Sequence, residues 1–315
     1  MLVVVLGAVA GVWQRERLWI WYCAERLERA DDEERGLWVD ELTACGEPAV
    51  PTMLHLLRHD DPGVCAAAKG ALQNVVANWP KEDPRLLAFA QRFVDEEPRF
   101  STPGRAAALD LLPTALIPND PQVAVRVKEI VHATAKSESV DVRVQAIAAA
   151  MRPEVNCLDA IVGLVNDPAV EVRRAAVLAI GPVRDGSRPV LADDSLLRCL
   201  HDQDEEVRRL AEMSLKSRGR TARDIRLGKR YAAPDPAERQ KLLVDLAYED
   251  DLDVTVWLER LTNDSDPAVR AGAARVAAER RADLGDRLGQ MSKSDPDATV
   301  RRIAEYYRQK LMASR

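Results

Sequence analysis

The sequence predicts an all-α protein, an α-solenoid of about eight helical hairpins preceded by an N-terminal apolar helix. One observation is a motif, Asp-Pro-Ala-Val-Arg at 266–270, that recurs in variant forms. Copies aligned on its last residue return every 30 to 40 residues, a period typical of stacked helical pairs. Apolar residues at helical spacing follow each copy. The aligned residues are Cys65, Arg105, Arg143, Arg173, Arg208, Arg239, Arg270 and Arg301.

The motif explains where the second helix of each hairpin begins. Aspartate accepts hydrogen bonds from the first free N–H groups of a helix, and proline, which has no N–H, suits the first helical position. A shorter apolar helix precedes each copy, so the unit is a hairpin whose apolar face is buried only by its neighbours. Four pairs are expected to start helices, and a fifth, Asp295-Pro296, lies two residues further back in its copy. The four are Asp61-Pro62, Asp167-Pro168, Asp235-Pro236 and Asp266-Pro267.

Helical pairs with Asp-Pro-x-Val-Arg at the second helix resemble the HEAT repeat family, most closely its short, phycobilisome-lyase-like variety. The resemblance covers about residues 47–315. It implies a ladder in which each recurring arginine joins an aspartate of a neighbouring repeat. The first two copies depart from the pattern, because Cys65 replaces the arginine and Arg105 lacks the preceding valine. The implied ladder residues are Arg143, Arg173, Arg208, Arg239, Arg270 and Arg301.

Residues 1–23 differ in composition from the rest of the chain. Met1 to Trp13 is apolar, and a second cluster, Leu18 to Tyr22, is rich in aromatic residues and flanked by arginines. Aromatic residues and arginines suit a membrane interface, although a bilayer span needs about 20 residues. We expect a membrane anchor with the repeats on the cytoplasmic side. The alternative is a helix that caps the first repeat of a cytoplasmic protein.

Two further regions follow the apolar segment. Residues 24–46 contain the acidic run Asp31 to Glu34 together with one apolar face, which predicts an acidic helical junction. Residues 47–315 contain all the repeats and are expected to form one solenoid. We expect the protein to be monomeric.

Charge and cysteine content bear on the function class. The net charge is −6 and the pI is about 5.5, which argues against nucleic-acid binding, because that needs a basic footprint. Five cysteines without a Cys-x-x-Cys spacing indicate free thiols. His55 and His59 have the spacing of a helical metal pair, but residue 56 is leucine where a zinc protease has glutamate. We expect no catalytic residue, no cofactor and no metal ion.

One segment within the repeats is strongly basic. Residues 216–230 hold seven cations against Asp224 alone, and an acidic stretch follows at Glu249, Asp250, Asp251 and Asp253. The cations either form a solvated face balanced by nearby acids or a docking patch for an acidic partner or lipid head groups. Candidate partner-binding residues are Arg223 and Arg226 here, and Arg174, Arg209 and Arg302 on the second helices.

The function expected from these features is that of a non-catalytic protein-binding scaffold, tethered to a membrane through residues 1–22. The resemblance leaves two alternatives open, a phycobilin-lyase-like enzyme and a HEAT-type nucleic-acid-binding protein. A lyase would bind a tetrapyrrole and absorb visible light, whereas a nucleic-acid binder would lose affinity steeply with salt.

Overall fold

The computed structural model describes residues 2–181, 193–248, 253–284 and 286–313, with side chains from residue 14 onward. These ranges are helical and contain no strand, so the prediction of an all-α fold is confirmed. The chain divides into two compact units, Met1–Ile180 and Gly181–Arg315. The boundary falls in the interval between the copies at Arg173 and Arg208.

The first unit is built of helical pairs in two layers. Its second helices, α2, α4, α6, α9 and α10 as defined below, contact one another in succession, and so do its first helices. Short 3-10 helices occur at Glu47–Ala49, Glu97–Arg99 and Leu158–Asn166, the last of which stands in place of an α-helix. The helices are α1 Leu2–Arg29, α2 Asp32–Cys45, α3 Val50–Leu56, α4 Pro62–Ala77, α5 Pro84–Glu96, α6 Thr102–Leu109, α7 Leu112–Ala115, α8 Pro121–Thr134, α9 Val140–Ala150 and α10 Val170–Ile180.

The N-terminal helix is longer than the apolar segment that predicted it. α1 runs through residues 23 and 24 without a break and packs on α2, α3 and α4. Ile20, Cys23 and Leu27 are buried in this contact, as expected of a capping helix. α1 and α2 thus form a helical pair ahead of the first copy of the motif.

A membrane span is not supported. Within the described part of the chain, no helix combines the length and the apolar character that crossing a bilayer requires. The side chains of residues 1–13, on which much of the anchor hypothesis rests, lie outside the described part.

The second unit contains four hairpins in its described residues. α14, α16 and α18 contact one another in succession, and each packs on the first helix of its own hairpin. Leu242, Leu246, Trp257 and Val269 belong to its larger apolar core. The helices are α11 Asp193–Cys199, α12 Glu205–Ser217, α13 Ala222–Tyr231, α14 Pro236–Tyr248, α15 Thr255–Leu261, α16 Pro267–Glu279, α17 Arg287–Ser294 and α18 Ala298–Ala313.

Aspartates start several second helices in the way the motif predicts. Asp61 accepts from the backbone N–H groups of Gly63 and Val64 at 2.7 and 3.0 Å, and Asp266 accepts from Val269 at 3.0 Å. The prediction for Asp167-Pro168 is wrong, because α10 begins only at Val170. Asp167 has a different role, described next.

Candidate functional site

The recurring arginines occupy the first turn of the second helices and share one contact. In each, Nη1 donates to the carbonyl oxygens of the residues six and five positions earlier, which closes the loop that leads into the helix. In Arg270, for example, the acceptors are Asp264 and Ser265, at 2.9 and 3.1 Å. The same pair of contacts occurs in Arg143, Arg173, Arg208, Arg239, Arg270 and Arg301.

Within the described part of the chain, Arg143, Arg239 and Arg270 also bind an aspartate 24 or 25 residues further along through two hydrogen bonds. Arg143 donates through Nε and Nη2 to the two carboxylate oxygens of Asp167, both at 2.8 Å. Arg239 contacts Asp264 in the same way at 2.7 and 2.9 Å. Arg270 contacts Asp295 at 2.8 and 2.8 Å. Such two-point pairs fix the orientation of both side chains.

Each accepting aspartate links two arginines. The carboxylate of Asp295 accepts from Arg270, and its carbonyl oxygen accepts from Arg301 at 2.6 Å. Asp264 joins Arg239 to Arg270 in the same way. A continuous chain of hydrogen bonds therefore runs from Arg239 to Arg301 in the second unit, and Asp167 joins Arg143 to Arg173 in the first.

The charges of the ladder are buried and mutually neutralised. The hydrogen bond from Arg270 is the main cause that holds the pKa of Asp295 below its usual range, and the reciprocal bond raises the pKa of Arg270. Arg270 and Asp295 are both buried. The two-point pair of Arg270 and Asp295 therefore positions the helices, and its guanidinium is already occupied by a carboxylate.

The ladder aspartates lie six residues before the arginine of their own copy, a recurrence that the sequence shows at Asp167, Asp202, Asp264 and Asp295. The sequence motif indicates Asp167 and Asp295 only as members of Asp-Pro pairs that start helices. It does not indicate Asp264, which precedes a serine.

Three copies differ from this pattern. In the part of the chain that is described, Arg208 contacts only the carbonyls of Asp202 and Gln203, and Ala233 occupies the place that aspartate takes in the next copies. Cys65 lies with its Sγ 3.1 Å from the carbonyl oxygen of His59, the acceptor that an arginine uses elsewhere. Arg105 pairs with Glu97 at 3.5 Å.

The basic segment is partly neutralised by acids of its own unit. Asp193 pairs with both Arg218 and Arg220, and Arg230 pairs with Asp245. Glu249, Asp250 and Asp251 lie outside the described residues. Balanced pairing of this kind is what a solvated charged face requires. Docking through Arg223 and Arg226 stays a prediction.

The remaining candidate arginines lie on three different helices. Arg174, on α10, belongs to the first unit. Arg209, on α12, makes two hydrogen bonds to Glu206 of its own helix, and this contact raises its pKa. Arg302, on α18, is exposed and lines a groove.

This groove, the α16/α18 groove, lies between two successive second helices. It is an open depression of about 630 Å³. Small residues of α16, Ala268 and Ala271, line one wall. Arg275 and Arg302 supply two cations, of which Arg275 lies 4.0 Å from Glu279. Since small side chains leave room for an approaching chain, the groove can receive an extended or helical segment.

Two tyrosines complete the groove. Tyr306 and Tyr307 lie edge to face with ring centroids 5.0 Å apart, and Tyr306 is 61% exposed. Exposed aromatic side chains next to arginine are frequent in protein interfaces. The groove thus combines apolar, aromatic and cationic groups.

The comparisons with known proteins agree with this architecture. Residues 127–216 match the family model of HEAT repeats, which confirms the resemblance inferred from the recurring motif. The comparison with curated proteins gave no significant match.

Two solved structures align with most of the chain. One is the X-ray structure of YibA from Escherichia coli, 18% identical with a TM-score of 0.40, covering 90% of this chain and 97% of that chain. The other is an engineered protein, 16% identical with a TM-score of 0.29, covering 93% of this chain and 98% of that chain.

Proposed function

Taking the HEAT repeats as the premise, we propose that this protein is a non-catalytic scaffold that binds an acidic segment of a partner protein in the α16/α18 groove. The observation that carries the proposal is the presence of Arg275, Arg302 and Tyr306 on one open face of the second helices. Arg143, Arg239 and Arg270 are buried in two-point pairs with aspartates, whereas Arg302 is exposed. It is therefore available for recognition.

The chemistry of the groove favours one kind of occupant. Two arginines attract carboxylates and can bind them through two hydrogen bonds. The tyrosines and alanines offer contact area to apolar side chains between the carboxylates. A segment that alternates acidic and apolar residues satisfies both. A basic segment would place like charges next to the two arginines. A strongly polar segment would leave the aromatic surface uncovered.

The test is selection followed by direct binding. Peptides selected on the full chain from a random-sequence display library should be acidic, and the best of them, labelled with fluorescein, should bind in an anisotropy titration. Affinity should fall as salt rises, since exposed charges are screened. The substitution Arg275→Glu with Arg302→Glu should weaken binding by about tenfold or more, because like charges then face each other.

A matched control separates this site from general charge attraction. Lys216→Glu with Lys241→Glu changes the net charge equally but lies on α12 and α14, outside the groove. It should leave affinity within about twofold. Equal loss in both double variants, or selection of peptides without acidic bias, would reject the proposed site.

Membrane contact is a second candidate function, supported by exposed side chains of α1. Leu18, Trp19 and Trp21 are 65%, 46% and 60% exposed, and exposed aromatic residues suit a lipid interface. The full chain should float with vesicles of mixed zwitterionic and anionic lipid. Trp19→Ser with Trp21→Ser should release it, whereas Tyr248→Ser, an exposed aromatic of the second unit, should not. Absence of the intact protein from the vesicle fraction would reject membrane contact.

A further inference from the structure

A second site of a different kind lies in the first unit, away from the groove. His132, Cys157 and Asp159 place one ring nitrogen, one sulfur and one carboxylate oxygen within 4.8 Å of one another. They are the one group of three or more such side chains with this closeness in the described part of the chain. His132 lies in the last turn of α8, and the other two residues begin the 3-10 helix Leu158–Asn166.

We propose that these three side chains form a binding site for a single zinc ion. A thiolate, an imidazole and a carboxylate are the three ligand types that zinc takes in proteins. Magnesium and calcium, which require oxygen ligands, are poorly served by this set. Three protein ligands leave the fourth tetrahedral position to water.

The separation of two of the ligands suits a tetrahedral ion. The Nε2 atom of His132 lies 3.6 Å from Oδ2 of Asp159. Two ligand atoms that each lie about 2.1 Å from zinc at a tetrahedral angle are about 3.4 Å apart. The two side chains therefore already stand at close to the separation that the ion requires. Both are exposed, so small rotations can complete the site.

The backbone holds the sulfur in place. The N–H of Cys157 donates to the carbonyl oxygen of Ala150 at 3.2 Å, and the carbonyl oxygen of Cys157 accepts from Ala160 at 3.2 Å. Cys157 is 1% exposed, whereas His132 and Asp159 border solvent. The ion would thus sit between a buried sulfur and two surface ligands, with an open path from solvent.

Without an ion, the three groups have an ordinary explanation that the test must distinguish. Burial, followed by the charge of Asp159, raises the pKa of the Cys157 thiol, so the thiol keeps its proton when no ion is bound. On zinc binding the S–H bond would break, a Zn–S bond would form and the proton would pass to the buffer. No electron is transferred.

The site would join two consecutive repeats. α8 is the first helix of one hairpin, and the 3-10 helix is the first element of the next, and the two contact each other. A bound ion would therefore cross-link neighbouring hairpins within the first unit. The expected role is a structural one, independent of the proposed groove.

The experiment uses the full chain prepared without a polyhistidine tag. Isothermal titration with zinc should give one site, and cobalt(II) should give the charge-transfer band of a thiolate ligand and the visible bands of a four-coordinate ion. Cys157→Ser, His132→Gln and Asp159→Asn should each weaken zinc binding by about tenfold or more. Cys45→Ser and His55→Gln, a half-buried thiol and an exposed histidine elsewhere in the unit, should leave it unchanged.

The surface variants keep the test decisive even if Cys157→Ser disturbs the fold. His132→Gln and Asp159→Asn alter exposed side chains and should retain the circular dichroism of the parent. Zinc should raise the melting temperature of the parent and of both controls but not of these two variants. No zinc binding by the parent, binding without a thiolate–cobalt band, or parental affinity in the His132 and Asp159 variants would overturn the proposal.

Discussion

Arg270 shows what a single residue contributes to the repeat. Its guanidinium closes its own loop through two carbonyl oxygens and reaches the next hairpin through the Asp295 carboxylate. Both side chains are buried, at 8% and 7% exposure. Removal of either partner leaves the other charge buried without its counter-ion, which costs about 3–5 kcal/mol in comparable pairs.

We therefore expect Asp295→Ala to lower the free energy of unfolding of the second unit by about 3 kcal/mol or more. Urea denaturation followed by circular dichroism measures the change. The control is Glu206→Ala, which removes the partner of Arg209 from an exposed pair and should cost less than about 1 kcal/mol. Equal losses of the free energy of unfolding in the two variants would show that burial of the Arg270–Asp295 pair does not contribute to stability.

The same pair predicts a pH dependence. The pKa of Asp295 is lowered in the folded state, chiefly by the hydrogen bond from Arg270. The stabilisation that this provides is fully present above the ordinary pKa of aspartate, about 3.9, and is lost as pH falls through the lowered value. Denaturation midpoints of the parent should fall in this acid range more steeply than those of Asp295→Ala. Parallel curves would contradict the expectation.

At the scale of elements, one close approach fixes how two hairpins stack. α6 passes the end of α3 at Gly104, where a Cβ atom would lie 1.7 Å from the carbonyl oxygen of Leu57. The same oxygen accepts from the backbone N–H of Ser101 at 3.2 Å. Because the added methyl group would clash with backbone atoms of Leu57, no rotation of a side chain can make room for it.

Gly104→Ala should therefore destabilise the first unit by about 2 kcal/mol or more through forced displacement of α6. Gly70→Ala is the matched control, because Gly70 lies within α4 with no atom near the added methyl group. It should stabilise the protein by about 0.5–1 kcal/mol through helix propensity. Thermal denaturation of the two variants measures both effects. If both substitutions changed the stability in the same direction, the role of the close approach at Gly104 would be refuted.

The sequence predicts where helices begin better than it predicts which side chains meet. Asp61 and Asp266 cap helices because capping is local, and local chemistry is readable from neighbouring residues. The partners of the ladder arginines lie 24 or 25 residues away, so only the fold shows which aspartate each arginine meets. The cluster of His132 and Cys157 is hidden for the same reason, since α8 and the following 3-10 helix bring together residues without a metal-binding spacing. The sequence did not predict that α1 and α2 form a helical pair, because the apolar composition of residues 1–23 favoured an anchor over the alternative of a capping helix.

At the scale of the whole molecule, two compact units are each built from helical hairpins. Stability in stacked repeats is close to a sum of local terms. A defect in one unit should therefore remain local, unlike a defect in a globular core.

Hydrogen exchange can test this locality. Gly104→Ala should speed amide exchange in α3, α4, α5 and α6, and leave α16, α17 and α18 at parental rates, because repeats contact only their neighbours. Asp295→Ala should show the reverse pattern. Acceleration throughout the chain by either substitution would mean that the two units unfold as one.

The alanine at position 233, where neighbouring copies have an aspartate, affects how stiffly two hairpins are joined. Between the hairpin of α12 and that of α14, the described residues provide no two-point bond from Arg208, while Arg239 and Arg270 each supply one to the hairpin that follows. Under a pulling force, directional bonds resist extension more sharply than apolar contacts, which slide. The junction at Ala233 should therefore be the most compliant joint of the second unit, and Ala233→Asp should stiffen it.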